Sequence, residues 1–342
     1  MSMNRNIPTV AVIVNKNARW ANDRLLAKLS HILPDDRIYP TETFDDAEQA
    51  MEDILVRGYD IVFSGGGDGT IVSTLSIMRK KVAELKSRGQ NVLRPPVGIL
   101  KLGTGNAWAW AVGVKDGLGQ LEHVVNGGYF SIYRYPLVEV NELLCPFAGV
   151  GWDGQILNDY YEVNRKLSNT PLNRFVGSLY GYFLAVFTRT IPRTIREKSF
   201  PEITVRFTGE KLLKPTREGE YLSITDMGSD IIYKGPASIA SSATIPYFGY
   251  AFRAFPHADR VRGTMHLRIA NLEVAESLLN LWSLWKGTYR SPKVIDFVTD
   301  RVEMTFDREL PLQVGGDPMG YTNRVEFSVP EYTAKVIAFW GR

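Results

Sequence analysis

Apolar and polar positions follow two rhythms along this chain, one in its first third and another beyond it. In the first third, short apolar runs (Val10-Ala11-Val12-Ile13-Val14, Ile61-Val62-Phe63 and Val97-Gly98-Ile99-Leu100) each run into small or polar residues and predict strands. The stretches between them have helical spacing. Thr43 and Asp46 are placed as a capping box, Ala47, Ala50, Met51, Ile54 and Leu55 share one face, and Gly58 predicts the stop. A second stripe, Ile71, Leu75, Met78, Val82 and Leu85, follows the Ile61 strand. Strands alternating with helices call for an α/β domain with a doubly wound, mostly parallel sheet. From about Tyr133 the period shortens to two, in Leu137-Val138-Glu139-Val140, Ile203-Thr204-Val205-Arg206-Phe207, Met265-His266-Leu267-Arg268-Ile269, Val302-Glu303-Met304-Thr305-Phe306 and Val325-Glu326-Phe327-Ser328-Val329. That pattern predicts a mainly antiparallel β-sandwich. Helical inserts interrupt it around 173–188 and 272–286.

Composition narrows the picture without redirecting it. A chain of 342 residues with 44% hydrophobic content can bury two ordinary cores, so two domains are expected, 1–132 and 133–332. The single cysteine, Cys145, rules out an internal disulfide and suits a reducing cytoplasm; inside an apparent strand it reads as buried, not nucleophilic. A net charge of +3 without an aromatic-basic stripe argues against nucleic acid. The opening Met-Ser-Met-Asn-Arg-Asn lacks an apolar signal core. The longest apolar stretch, 175–187, is broken by Gly177, Ser178 and Gly181 and is too short to span a bilayer. His31, His123, His257 and His266 lack metal-ligand spacing and read as surface or packing residues, and Arg79-Lys80-Lys81 reads as a solvated face.

The chemistry concentrates in Ser64-Gly65-Gly66-Gly67-Asp68-Gly69-Thr70, between an apolar run and a helical pattern. Glycines remove the Cβ atoms that keep backbone N–H groups off an anion, and the following helix turns its positive end to the same spot. Asp68 is the unexpected member. A carboxylate among phosphates is unfavourable by several kcal/mol, on the order expected at short range, unless a cation or a transferable proton offsets it. That points to phosphoryl transfer. The plainer alternative is a glycine-rich turn that only reverses the chain, since neither the P-loop nor the dinucleotide G-x-G-x-x-G spacing is present. A second loop weighs against it. Pro96-Val97-Gly98-Ile99-Leu100-Lys101-Leu102-Gly103-Thr104-Gly105-Asn106 repeats the strand-to-loop-to-helix plan, and the Val10 strand closes on Asn15-Lys16-Asn17. In a doubly wound sheet such loops converge on one crevice.

With these residues the chain resembles the diacylglycerol kinase catalytic family, which includes bacterial lipid kinases and sphingosine kinases and is distantly similar to NAD kinases. The family's Gly-Gly-Asp-Gly-Thr is matched by Gly66 to Thr70, its Pro-x-Gly-x-x-x-Leu-Gly-Thr-Gly-Asn by Pro96 to Asn106, and its Gly-x-Gly-x-Asp by Gly149-Val150-Gly151-Trp152-Asp153. Its late Asp-Gly-Glu-Pro stands at Gly315-Gly316-Asp317-Pro318. The resemblance implies that the tail, 333–342, returns to the first domain, with the active cleft between the domains. It implies ATP and Mg2+ as cofactors, with Asn15, Gly66, Gly67, Gly69, Thr70, Thr104, Gly105 and Asn106 around the nucleotide. Asp68 and Asp317 become the candidate catalytic acids, and Asp153 is expected to face the acceptor's head group.

Departures from the family pattern bear on the metal and on the acceptor. Gly315 replaces the first aspartate of the late motif, Asp317 shortens its glutamate by one methylene, and Ser73 stands where many relatives carry a magnesium-binding acid. Region 239–259 lacks the family's Pro-x-Ala…Asp-Gly pattern, so metal ligands are not assigned. Ala107, after Asn106, resembles the sphingosine-type branch. For the acceptor, Trp108 and Trp110 follow the second loop, and Leu172, Phe175, Val176, Leu179, Tyr180, Phe183, Leu184 and Phe187 form a helical face able to lie along a lipid tail. Aromatic stripes at helical spacing are usually core, and Leu278, Leu281, Trp282 and Trp285 are read the same way. Arg189, Arg193, Arg196 and Lys198 suit either anionic head groups or a solvated loop. The expectation is an ATP-dependent kinase of a diacylglycerol-like or sphingoid lipid, cytoplasmic, with peripheral contact at the inner membrane face as an option. A kinase of a soluble acceptor such as NAD, and a non-catalytic nucleotide- or lipid-binding homologue, are the alternatives.

Overall fold

The computed structural model describes residues 7–103, 105–167, 184–196, 199–224, 228–248 and 251–339. They form two compact units, Met1–Tyr135 with Thr333–Arg342, and Pro136–Tyr332.

The first unit is built on a six-stranded sheet. Its strands are β1 (Val10–Asn15), β2 (Ile38–Thr41), β3 (Ile61–Gly66), β4 (Val97–Lys101), β5 (Ser131–Pro136) and, from the end of the chain, β18 (Thr333–Ala338), in the order β2-β1-β3-β4-β18-β5. β1, β2, β3, β4 and β18 pair in parallel. The central strands β1, β3 and β4 are largely apolar because both of their faces are covered, whereas the outer β2 and β5 are partly exposed. Val10, Val12, Val14 and Phe63 pack against Leu25 and Leu29 of α1 (Asp23–Ile32) and against Leu121 and Val124 in the helix Gly117–Val125. Ala11, Ile13 and Val62, on the other face, are equally buried.

Helix α2 (Phe44–Arg57) starts at the expected capping box, Thr43 with Asp46, and stops at Gly58, whose φ of 69° is costly for other residues. Helix α3 (Asp68–Ser87) buries Ile71, Leu75, Met78 and Leu85 of the predicted stripe. The basic run on α3 is not merely solvated: Lys80 donates to Glu48 of α2 (2.6 Å) and Lys81 to Glu52 (3.1 Å). The two helices are thereby clamped edge to edge.

In the second unit, β6 (Val138–Val140), β7 (Leu143–Cys145), β8 (Phe147–Gly151), β9 (Glu202–Phe207), β10 (Leu212–Pro215), β11 (Tyr221–Ser223), β12 (Ile231–Pro236), β13 (Ile239–Ala243), β14 (Met265–Ala270), β15 (Val294–Thr299), β16 (Arg301–Val314) and β17 (Asp317–Ser328) join one antiparallel sheet, along the path β11-β10-β15-β14-β13-β8-β16-β17-β6-β7, with β9 added to β16 and β12 to β9. Four of these strands hold site residues: β8, β13, β16 and β17, which begins at Asp317. β8 lies between β13 and β16, and helix α6 (Trp152–Leu167) starts directly from its end. Of the predicted inserts, 168–183 lies outside the described residues, and 184–196 is helical. The second insert forms short helices, Val274–Leu279 and Leu281–Trp285. Here the core reading fails: Leu278, Leu281 and Trp282 are exposed, because only the opposite side of this insert is packed, through Trp285 stacked on Phe252 at 5.3 Å.

Among the histidines, His266 is fully buried and hydrogen-bonded to Asp296 (2.9 Å), which also takes two bonds from Arg268. His266 is a packing residue, as the sequence suggested, with its other ring nitrogen, Nδ1, buried without a hydrogen-bond partner. Burial also pushes the Cys145 thiol well above its ordinary range, which suits an inert residue.

Candidate active site

Three strand ends define the site in the first unit. β1 and β3 pair with Val14 opposite Gly65, and β3 and β4 pair with Gly66 opposite Lys101. Their carboxyl-terminal loops therefore leave the sheet side by side. Between β1 and β3 the strand order reverses, since β2 lies to one side and β4 to the other; open α/β sheets bind ligands at such a point.

The glycines are there because backbones touch. A Cβ on Gly103 would sit 2.3 Å from the Gly67 Cα, and one on Gly66 would sit 2.2 Å from the Thr70 hydroxyl. Gly67 occupies the N-cap of α3 with no side chain capping it, so the first amides of a twenty-residue helix are directed toward the loop. Asn15 donates to the Thr70 hydroxyl at 3.1 Å, tying the β1 end to α3. Gly69 lies in the first turn of that helix, and Gly105 in the loop after β4. Thr104 lies outside the described residues.

Asn106 and Asp68 hold the second loop. Asn106 is buried and left-handed (φ 50°), and its side chain closes back on Gly103, accepting from its N–H at 3.2 Å and donating to its carbonyl at 2.7 Å. With that side chain engaged, the helix Ala107–Ala111 lacks a local cap. Asp68 supplies it from the other loop, Oδ2 accepting from the Ala107 amide (2.9 Å) and Oδ1 from the Trp108 amide (3.0 Å). A carboxylate at a helix N-terminus is favoured by hydrogen bonding and by the helix dipole together.

Asp153 and Asp317 belong to the second unit and form a group of their own. Asp153 opens α6 and is buried, with Oδ2 accepting from the Ser241 hydroxyl of β13 (2.7 Å) and from the Gln313 amide of β16 (2.9 Å). Gly149 makes the room: a Cβ there would sit 1.9 Å from that carboxylate oxygen. Burial pushes the Asp153 carboxyl up to about 6. The other end of Gln313 accepts from the Gly316 N–H at 2.9 Å. Gly315 and Gly316 have φ of 61° and 93°, the paired positive values of a tight two-residue hairpin turn between β16 and β17. Gly315, the departure noted in the sequence, is thus suited to this turn.

Asp317 is the first residue after the turn. Tyr161 of α6 donates to its Oδ1 at 3.0 Å, and burial raises its carboxyl above the ordinary carboxylate range. Asp153 and Asp317 do not touch; Gln313 and the turn connect them. Sequence reasoning missed Gln313, Ser241 and Tyr161. Gln313 had a signal, a polar residue within the apolar run Leu310-Pro311-Leu312-Gln313-Val314 just before two glycines. Tyr161 and Ser241 had none.

Among the described residues no group of three or more His, Cys, Asp and Glu side chains could hold a metal ion. A magnesium ion carried on nucleotide phosphates needs only one or two protein carboxylates. The described side chains thus offer no protein-only cage for it.

Comparison with known proteins agrees with the geometry. Residues 9–131 match the model of the diacylglycerol kinase catalytic domain. The protein named "Probable lipid kinase YegS-like" from Klebsiella pneumoniae (strain 342) is 25% identical over 318 residues, covering 91% of this chain and 90% of that protein. "Probable lipid kinase YegS" of Salmonella newport is 30% identical over 148 residues, 41% of this chain and 44% of that one. In fold, the chain is similar to the crystal structure of a diacylglycerol kinase from Bacillus anthracis str. Sterne, with a TM-score of 0.58 at 15% identity over 98% of both chains. A second structure from that organism gives 0.63 at 16% identity over 99% of this chain and 97% of the other. The chain is thus similar to the diacylglycerol kinase catalytic domain over residues 9–131, and to a bacterial protein named a probable lipid kinase over most of its length.

Proposed function

We propose that the chain transfers the γ-phosphoryl group of ATP to the hydroxyl of a lipid alcohol, of the diacylglycerol or sphingoid type. The observation that carries this reading is the meeting of three loops at the reversal point of a parallel sheet, beneath the uncapped N-terminus of α3. The nucleotide phosphates would lie against the amides of 66–70, with Asn15, Thr70, Thr104, Gly105 and Asn106 around them. When bound, magnesium on the phosphates neutralises their charge.

Of the two candidate acids, Asp317 is the one we propose as base. Burial holds its carboxyl above the ordinary range, which strengthens it as a proton acceptor, and Tyr161 fixes one of its oxygens. In the transfer the acceptor's O–H proton passes to Asp317, its oxygen forms the new bond to phosphorus, and the bond to the β-phosphate oxygen breaks with its electron pair leaving on ADP. Asp68, with both oxygens accepting from the 107–108 amides, we assign to positioning: it locks one phosphate loop to the other. Asp153 we assign to holding Gln313 and, through it, the turn before Asp317. That both units serve one reaction is part of the proposal.

The test is transfer from γ-labelled ATP to a panel of dispersed diacylglycerol, sphingosine and NAD, in the presence of magnesium. Asp317→Asn is expected to lower transfer about 10²- to 10⁴-fold while ATP binding is retained. Unchanged transfer removes Asp317 from the chemistry. Transfer only to NAD selects the soluble-acceptor reading, and tight ATP binding with no turnover on any acceptor selects the non-catalytic one, which the substitutions at Gly315 and Ser73 favour.

A further inference from the structure

The insert that fails to join the core has a chemistry of its own. Leu278, Leu279, Leu281 and Trp282 fall within five consecutive positions and are 41%, 86%, 40% and 71% exposed. The helices that carry them, Val274–Leu279 and Leu281–Trp285, contain no buried residue. They are nevertheless firmly attached. The Trp285 carbonyl accepts from the Arg253 N–H at 2.9 Å, Tyr289 and Lys293 donate to Glu276 at 2.8 Å and 2.6 Å, and Trp285 stacks on Phe252. The apolar residues are therefore held outward by the packing of the opposite side. Clustered leucines and a tryptophan in water are unfavourable, and on a folded surface such a patch marks an interaction site.

The border of the patch says what it meets. Lys286 lies with its ammonium 4.7 Å from the centre of the Trp282 ring, and both Lys286 and Arg290 are exposed. Of the insert's acids, Glu276 is paired with Lys293 on the anchored side, and Glu273 lies at the start of the insert, before the first helix. A tryptophan with leucines on one side and cations at its rim is the composition of an element lying in a lipid–water interface, where the ring spans the boundary and the cations reach phosphates.

We infer that residues 278–282 dock this protein onto an anionic phospholipid bilayer, with Leu279 and Trp282 entering the acyl region and Lys286 and Arg290 on the head-group phosphates. The docking is to the surface, since no described helix is long and apolar enough to cross a membrane. The choice of a bilayer over a second copy or a protein partner rests on the cationic border and on the lipid-acceptor reading above.

The experiment is co-sedimentation of the full chain, without nucleotide, with vesicles of phosphatidylcholine alone or mixed equally with phosphatidylglycerol. The wild type is expected to partition to the mixed vesicles. Leu279→Glu and Trp282→Ala each lower that partitioning about tenfold or more, and Lys286→Glu lowers it roughly fivefold, with unchanged thermal unfolding in all three. Failure of the wild type to bind mixed vesicles, or variants that bind as it does, overturns the inference. A wild-type dimer that Leu279→Glu dissociates, without vesicle binding, overturns it in favour of a second copy. Transfer to a micelle-dispersed short-chain acceptor is measured in parallel. If vesicle binding behaves as described and transfer is absent, the kinase reading fails while the docking surface stands; transfer that survives with no vesicle binding fails the surface alone.

Discussion

The loops after β1, β3 and β4 and the group around Asp317 both place an acid beside glycines, yet they are built in opposite ways. In the loops nearly every contact has backbone on at least one side: Gly103 against Gly67, the Ala107 and Trp108 amides on Asp68, the Asn106 side chain on the Gly103 peptide. Around Asp317 side chains do the holding, from residues far apart in the chain: Tyr161 bonds Asp317, and Gln313 bonds Asp153 from 160 positions away. A backbone-built site is tolerant of side-chain chemistry and intolerant of added atoms. A side-chain network is the reverse where it is buried, as it is around Asp153, because any missing partner there leaves a desolvated polar group behind.

The largest difference between the two regions is expected in their response to pH. The folded chain keeps the Asp153 proton up to about pH 6, whereas the unfolded chain releases it near its ordinary value of 3.8. Between these values the unfolded state binds fewer protons, so the second unit loses stability as pH rises through that window, by on the order of 3 kcal/mol in total. Asp153→Asn removes the titrating group, and thermal unfolding should then show that slope flattened for the second unit and unchanged for the first. A slope that persists in Asp153→Asn would assign the effect to another group and break the contrast.

The same difference in construction explains what could be read in the sequence. Gly66 to Thr70 and Pro96 to Asn106 are continuous segments whose glycines and flanking apolar strands announce their geometry, so the parallel sheet and its loops were legible before any coordinates. The capping box at Thr43 and the stop at Gly58 were equally local. The network around Asp317 was legible only as two isolated acids. Its connector, Gln313, and its lock, Tyr161, reach the site by strand pairing and helix packing, which no local spacing encodes. The partners of Asp153 were also not legible: the residue expected to face an acceptor bonds Ser241 and Gln313, in the space that the glycine at 149 leaves. The leucines and tryptophan of 278–282 show the converse, a core-like pattern held outward because Trp285 and Glu276 anchor the other side.

Gly103→Ala tests the intolerance of the loops to added atoms. Its new methyl group would meet the Gly67 Cα at 2.3 Å, and the neighbour is backbone that cannot rotate away. The loops must separate, at a cost of about 1–3 kcal/mol in the stability of the first unit. Weaker ATP binding, about tenfold or more by calorimetry, is the expected companion, with the second unit's unfolding unaffected. Retention of wild-type affinity would mean that the close approach of Gly67 and Gly103 is incidental to the nucleotide.

The smallest effect is the one that decides the role of Asp68. If its carboxylate serves as the cap of the helix Ala107–Ala111, Asp68→Ala should destabilise the first unit by about 1 kcal/mol, the usual cost of a lost N-cap. Asp68→Asn keeps one acceptor oxygen for one of the two amides and should fall between Ala and the wild type. In kinetics both changes should raise the KM for ATP, in that order, and leave kcat nearly unmoved, since a displaced loop weakens phosphate binding without touching the acceptor's proton. A base at this position predicts the opposite split: Asn and Ala would be equally damaging, kcat would fall about 10²- to 10⁴-fold, and KM would hold. Stability and kinetics are read on the same pair of variants, so the graded outcome makes Asp68 a part of the backbone-built loops. The ungraded one would give the loops a proton-transfer role of their own, the role proposed for Asp317, despite their different construction.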